Sequence, residues 1–400
     1  MAYEPFPSPS PQVPKSPSLA TASALAERLA QTAVARDRAG GTAKAERDLV
    51  RASGLLSLSI PRELGGAGAG WPEVMQVVRR LARVDGSIAH LFGFHHLLLA
   101  TVRLFGTPEQ ARHYFRETAR FGWFWGNALN PLDPRTHLLP EASGYQLRGA
   151  KSFCSGATDS NMLVVSATEP GASKLAIAVI PTERQGIHVH DDWDAIGQRQ
   201  TDSGTVTFED VPVAEPELLR TPGPLGSAFA SLRPCIAQLV LVNVYAGIAE
   251  GALDEARSHT RVQGRAWFAS GVATPAQDPY VLRTYGELWV ALEGARALAD
   301  RAAEALQQAW TDGDALTAEG RGACAVAIAA AKVATTRAGL DATSRMFEVI
   351  GARATSGAAR LDRFWRNLRT HTLHDPVEYK LRELGDRFLN DAWPAPTFYS

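Results

Sequence analysis

Apolar residues in the first third of the chain recur at three- and four-residue intervals, as in ALAERLAQTAVARDRA, and this spacing predicts amphipathic helices from about Leu19 to Phe121. Within that stretch, Ser59-Ile60-Pro61 leads through LGGAGAG into WPEVMQVVRRLARVDG, a turn followed by a helix. At Trp123 the period changes. WFWGNAL, YQLRGAKSFCSG, NMLVVSATE, KLAIAVIP, GIHVH and GTVTFEDVPV are short, rich in β-branched and aromatic residues, and separated by Gly, Pro, Asp and Asn. They predict strands. From about Pro224 the helical period returns and lasts to the end of the chain. The order predicts an α+β fold with an N-terminal helical domain over 19–121, a middle antiparallel β-barrel domain over 122–223 and a C-terminal helical bundle with its tail over 224–400. Residues 1–18, biased to Pro and Ser, are expected to be a disordered tail.

Composition narrows the function classes. With 45% apolar and 21% charged residues and a formal net charge of -1, the chain has no basic excess that would point to nucleic acid. The longest apolar run, Ile236 to Ala249, is interrupted by Gln238 and Asn243 and is too short to span a bilayer, so a buried helix and no membrane partner are expected. Cys154, Cys235 and Cys324 show no paired spacing, which predicts neither disulfides nor a zinc site and fits a reducing cytoplasm. The N-terminus lacks the apolar core of a secretory signal. Gly66, Gly68 and Gly70 do not match a dinucleotide fingerprint and read as an interhelical loop. His371, His374 and Asp375 hint at a metal site but lack a full ligand set, and no metal is expected.

The ordered motifs PRELGG at 61–66, GAKSF at 149–153, FEDVPV at 208–213 and RVQ at 261–263 resemble the acyl-CoA dehydrogenase superfamily. Longer phrases, among them DGSIAHLFGFH, KSFCSGA, DDWDAIGQRQTDSG, FEVIGAR and DRFWRNLRTHTLHDPVEYK, are similar to its flavin-dependent monooxygenase branch and cover most of the chain. The resemblance implies a two-component enzyme. Reduced FMN, supplied by a separate NAD(P)H:flavin reductase, would react with oxygen to a C4a-hydroperoxyflavin that oxygenates a small substrate. A sulfur compound, such as a dibenzothiophene-like heterocycle, a sulfide or a sulfone, is implied. It also implies a homotetramer.

The same resemblance places His90, Ser155 and His374 at the catalytic centre. It puts Phe94, Asn127, Ala128, Lys151, Ser152, Phe153, Cys154, Ser155, Gly351, Ala352 and His374 at the flavin, and Phe94, Phe153 and Trp193 beside the substrate. Each residue type suits such a role: histidines carry protons near neutral pH, and a serine hydroxyl can donate toward flavin N5 or the peroxide. Bland readings stand beside these. His90 could fill a helix face, Ser155 could be an ordinary strand-end hydroxyl, Cys154 reads as a small buried hydrophobe, and His95 and His96 read as packing or surface residues. Trp123, Trp125 and Trp193 are grouped near the expected flavin.

Two departures separate the chain from dehydrogenases of this fold. Where they carry a catalytic glutamate, this chain reads His374-Asp375-Pro376, a shorter carboxylate ahead of a stiffening proline. Where FAD-binding members have a double glycine, it reads Gly351-Ala352, which argues for FMN over FAD. Arg265, with Arg261 as the alternative, is the candidate for the phosphate. Phe94 stands where members of the monooxygenase branch carry a tyrosine, one helical turn beyond His90. The competing readings are an FAD-dependent acyl-CoA dehydrogenase or oxidase with Asp375 as base, and a helical scaffold without chemistry.

Overall fold

The structure is a computed structural model that describes residues 16–142, 144–171 and 175–400. Residues 1–15 of the expected tail lie outside the described residues, but Pro17, assigned to that tail, already opens a helix. Five helices build the N-terminal region: α1 (Pro17–Ala39), α2 (Lys44–Ala52), α3 (Trp71–Ala82), α4 (Gly86–Phe105) and α5 (Pro108–Phe121). Asp85 caps α4 by accepting the Ile88 N–H at 2.9 Å, and α5 begins with a reciprocal Thr107–Gln110 capping box.

Seven strands follow: β1 (Trp125–Ala128), β2 (His137–Glu141), β3 (Gly144–Lys151), β4 (Met162–Thr168), β5 (Leu175–Pro181), β6 (Ile187–Val189) and β7 (Val206–Val213). They form one curled sheet with two separate cores, one shared with the helices and one inside the curl. The middle β domain is present as expected, but its strand pairing is not antiparallel throughout. β5 runs antiparallel along one edge of β4, while β1 pairs with the other edge in parallel and β2 meets it at His137–Thr168. The strand path has free ends, so the sheet is open.

The C-terminal region contains α6 (Leu232–Val262), α7 (Pro279–Asp312), α8 (Ala318–Ile350), α9 (Asp362–Thr372) and α10 (Val377–Asn390). Contrary to the short-run reading, α4, α6 and α8 are each long and apolar enough to cross a membrane. Their most apolar windows are 94%, 100% and 61% buried within the protein, so here they serve as bundle core. α6 lies antiparallel to α4, with Val240 against Gly93 and Ile248 against Gly86. Gly247 permits its approach to α3, since a Cβ there would stand 2.3 Å from the Arg79 carbonyl oxygen. The face shared by α4, α6 and the α9–α10 turn is where the candidate histidines meet.

Candidate active site

His90 and Phe94 lie one turn apart on α4 with ring centroids 4.1 Å apart. α9 brings His371 to the other side of His90, centroids 4.6 Å apart. Both rings are buried, and the Nδ1 atoms of His90 and His371 have no hydrogen-bond partner. Burial, and then the neighbouring His374, push the His90 pKa down to about 3, so its imidazole is neutral. His371 is lowered by burial and by His90 and His374. The Tyr245 hydroxyl on α6 donates to the His371 carbonyl at 2.7 Å and fixes the end of α9.

The turn after α9 presents His374 half-exposed, with Nδ1 2.9 Å from Asp375 Oδ1. That oxygen also accepts Gln238 Nε2 at 3.1 Å and Lys332 Nζ at 3.3 Å. Lys332, fully buried in α8, donates in addition to the Tyr245 oxygen at 3.3 Å. Burial would raise the Asp375 pKa, but the His374 hydrogen bond and the Lys332 charge outweigh it and hold the carboxyl well below the usual range. Asp375 is thus an ionised acceptor held by three donors, which makes it an anchor for His374 and a poor free base. Gln238, Tyr245 and Lys332 carry no role legible in the sequence, and His371 stands there only in the metal hint with His374 and Asp375. For Gln238 and Lys332 the local signal is a polar residue inside an otherwise apolar helix.

The candidates of the β domain make a second group of contacts. Asn127, at the end of β1, is buried; its N–H donates to the Ser155 carbonyl at 3.0 Å and its Oδ1 accepts the Leu129 N–H at 3.3 Å. Phe153 has a left-handed backbone (φ 60°) and is 60% exposed, with its ring edge-on to Trp193 at 6.1 Å. Phe153 is thus an exposed aromatic ring in an uncommon backbone conformation, with a partly buried Trp193 beside it. The Trp193 indole N–H donates to the Gln198 carbonyl at 2.9 Å. Ser155 Oγ lies 2.7 Å from Ser203 Oγ, and Ser203 Oγ lies 2.7 Å from Thr201 Oγ1. Gln198 N and Nε2 donate to Asn367 of α9 at 2.7 and 3.1 Å. Gly197 sits so close to α9 that a Cβ would be 2.0 Å from the Arg366 carbonyl oxygen. The segment 191–204 therefore fastens the β domain to α9, the helix that carries His371.

Other candidates are placed differently. Lys151 is fully buried, and its ammonium donates to the carbonyls of Asn130 and Asp133, holding the loop after β1. Ser152 gives both its N–H and its hydroxyl to Asp133 Oδ2 at 3.0 Å. Cys154 and Ala128 belong to the core inside the curl, and burial pushes the Cys154 thiol up to about 12. Arg265, Gly351 and Ala352 are exposed, and no hydrogen bond, ion pair or ring contact joins them to the residues above. Trp125 packs against Tyr114 and donates to Thr118 at 2.9 Å, and Trp123 stacks on Phe121, so only Trp193 of the three tryptophans reaches Phe153. His95 and His96 are core residues bonded to Leu56 O at 2.7 Å and Ser59 Oγ at 2.8 Å. Cys235 and Cys324, despite their spacing, meet in the interior. A cavity of about 600 Å³ lined by Gln110, Tyr114, Trp123 and Met162 contains none of the candidates.

Known proteins resemble this chain over nearly its whole length. Models of the acyl-CoA dehydrogenase N-terminal, middle and C-terminal domains match residues 19–121, 128–211 and 239–379. The chain is 59% identical to a probable FMNH2-dependent monooxygenase, SfnC, of Pseudomonas putida, over 97% of this chain and 98% of that protein. It is 48% identical to dibenzothiophene monooxygenase of Rhodococcus erythropolis, over 96% and 95% of the two chains. The structure of methanesulfinate monooxygenase MsuC from Pseudomonas fluorescens superposes with a TM-score of 0.95 at 59% identity, covering 96% of this chain and 100% of that one. The chain belongs to the acyl-CoA dehydrogenase family, within its branch of flavin-dependent monooxygenases.

Proposed function

We propose that this chain is the oxygenase component of a two-component system that uses reduced FMN and O2 to oxygenate a small sulfur compound. The observation that carries the reading is the histidine cluster: a neutral, buried His90 with an unpartnered Nδ1, beside His371 and an Asp375-anchored His374. The carboxylate that a dehydrogenase would need is already committed to three donors.

The residues present fit a flavin. Phe153 and Trp193 offer an aromatic wall, and Asn127 and Ser155 offer polar atoms at the edge of the sheet. Arg265 or Arg261, both exposed on the segment that ends α6, would take the phosphate. Reduced FMN, when bound, supplies the electrons that activate O2. The chain supplies the rest. His90 holds or delivers a proton at Nδ1 in a site from which burial excludes water. Asp375 fixes the hydrogen of His374 on Nδ1 and so leaves Nε2 as its working atom. Phe94, its ring tilted against that of His90, presents an apolar face to the substrate.

A small aliphatic sulfur acid of the methanesulfinate type is the favoured substrate class. MsuC and SfnC are each 59% identical to this chain, against 48% for dibenzothiophene monooxygenase. A separate NAD(P)H:flavin reductase supplies the FMNH2, and the cytoplasm is the compartment. Assembly into a homotetramer is supported by exposed Val262, Trp267, Phe268 and Tyr280 around the α6–α7 connection, and by Phe388 and Leu389 on α10. The experiment is oxygen uptake with a flavin reductase, FMN and a panel of methanesulfinate, dimethyl sulfone, dibenzothiophene and an acyl-CoA. Product from a sulfur compound is expected. Turnover of the acyl-CoA alone, with FAD, would replace this reading by the dehydrogenase one.

A further inference from the structure

The hydroxyls of Ser155, Ser203 and Thr201 form one chain, and its direction can be read from its end. Thr201 Oγ1 lies 2.9 Å from the Gln198 carbonyl oxygen. A carbonyl only accepts, so the single hydroxyl hydrogen of Thr201 goes to Gln198. Thr201 then has only lone pairs for Ser203, 2.7 Å away, and Ser203 must donate. Ser203 in turn has only lone pairs for Ser155, also 2.7 Å away, and Ser155 must donate.

Reversing the chain would set two lone-pair-bearing oxygens, Thr201 Oγ1 and Gln198 O, against each other at 2.9 Å. Thr201 and Ser203 are buried, and Gln198 is held from three sides by Trp193 and by two bonds to Asn367. An unfavourable contact there finds little relief. Ser155 therefore commits its one hydrogen to the protein. Toward the Phe153–Trp193 side it can only accept, the reverse of the donor role that the family resemblance gave it.

We infer that this relay makes Ser155 a selector of flavin redox state, with Ser203 and Thr201 as positioning residues. The inference rests on the proposed function, with Ser155 meeting flavin N5 as the family resemblance implies. N5 carries a hydrogen in reduced flavin and a bare lone pair in oxidised flavin, so an oxygen that only accepts stabilises the reduced form and opposes the oxidised one. A serine free to rotate its hydroxyl would serve both alike. The consequence suits an enzyme that must capture FMNH2 and release FMN each turnover.

The test uses the full-length protein and two titrations, oxidised FMN by fluorescence and reduced FMN anaerobically. Wild type is expected to bind reduced FMN more tightly. Ser203→Ala frees the Ser155 hydrogen, and the preference for reduced FMN falls about tenfold, the size of one net hydrogen bond. That change corresponds to about 30 mV in the potential of bound FMN, for a two-electron couple. Thr201→Val gives the same loss, and Thr201→Ser, which keeps the hydroxyl, restores the wild-type ratio. In a Ser155→Ala background, Ser203→Ala changes nothing further. If Ser203→Ala does not fold, the Thr201→Val and Thr201→Ser pair decides alone. Wild-type preference in Ser203→Ala and Thr201→Val proteins that still bind FMN overturns the relay and leaves the proposed function standing. Failure of wild type to bind either form of FMN overturns the flavin reading, and the relay's role with it.

Discussion

Asp375 Oδ1 receives His374 Nδ1 at 2.9 Å while lying 3.3 Å from Lys332 Nζ. The ammonium belongs to one of the most deeply buried side chains in the protein, and its own pKa is lowered by burial. The arrangement holds a negative charge in place behind a histidine, and the cation that balances it comes from a different helix. Removing one partner of a buried pair costs more than removing both, because a charge is left unpaired.

Asp375→Asn is therefore expected to lower stability by about 3–5 kcal/mol and to reduce product formed per O2 at least tenfold, since His374 loses its anchor. Adding Lys332→Met to that variant should recover much of the stability but not the coupling. Urea denaturation with a product-to-peroxide ratio checks both halves. Wild-type coupling in Asp375→Asn would remove Asp375 from the positioning of His374.

The interior histidines set the acid limit of the fold. His90, His95, His96 and His371 all have pKa values lowered first by burial, His90 to about 3 and His95 to about 4. An unfolded chain takes up these protons near 6.5, so below that pH it binds more protons than the native state. Stability is full above about pH 6.5 and falls as the pH drops toward 4, by up to about 1.4 kcal/mol per pH unit for each group. Urea midpoints at pH 7 and pH 5 test this; equal midpoints would contradict it. Because His90 stays neutral above pH 5, it should add no inflection to the pH–rate profile in the neutral range.

Much of this arrangement was legible in the chain, for physical reasons. The 3.6-residue period marked the helices, and the switch at Trp123 marked the sheet, because burial on one face imposes those periods. The pairing of β1 with β4 was not legible, since local alternation says nothing about which edge a strand meets. His90, Phe94 and His374 were named from their motifs. Lys332 was not, because its significance lies in Asp375, 43 positions away in sequence and in contact only once α8 meets the α9–α10 turn. Lys151 and Cys154 were named from the same motif as Ser155, yet they turn into the loop and the core while Ser155 meets Ser203. A motif marks the segment, but β3 ends at Lys151 and Phe153 turns left-handed, so strand alternation does not tell which of its later side chains leave the core.

Phe94→Tyr should change substrate preference more than coupling. The buried Phe94 ring lies tilted against His90 with centroids 4.1 Å apart, so an added hydroxyl places a polar group among apolar neighbours beside His90. Relative kcat/KM for methanesulfinate against dibenzothiophene should shift about tenfold, the scale of one hydrogen bond, with the peroxide fraction near wild type. A large rise in peroxide with unchanged preference would mean that Phe94 shields the proton carrier instead of the substrate.

Replacing His90 or His374 by Ala should spare the circular dichroism spectrum and divert turnover to hydrogen peroxide. Loss of one preorganised donor costs roughly a hundred- to a thousandfold in the step it serves, whereas flavin binding is spread over many contacts. Wild-type coupling in either variant would leave that histidine a structural residue.

The most direct measurement of the central claim is isotopic. Wild-type protein, reductase and FMN are incubated with methanesulfinate under 18O2, and the product is weighed by mass spectrometry. The account predicts a product carrying one atom of 18O, formed only when FMN is reduced and lost in His374→Ala in favour of hydrogen peroxide. A product whose added oxygen comes from water, or O2 consumption that yields only hydrogen peroxide with every sulfur compound of the panel, would contradict it.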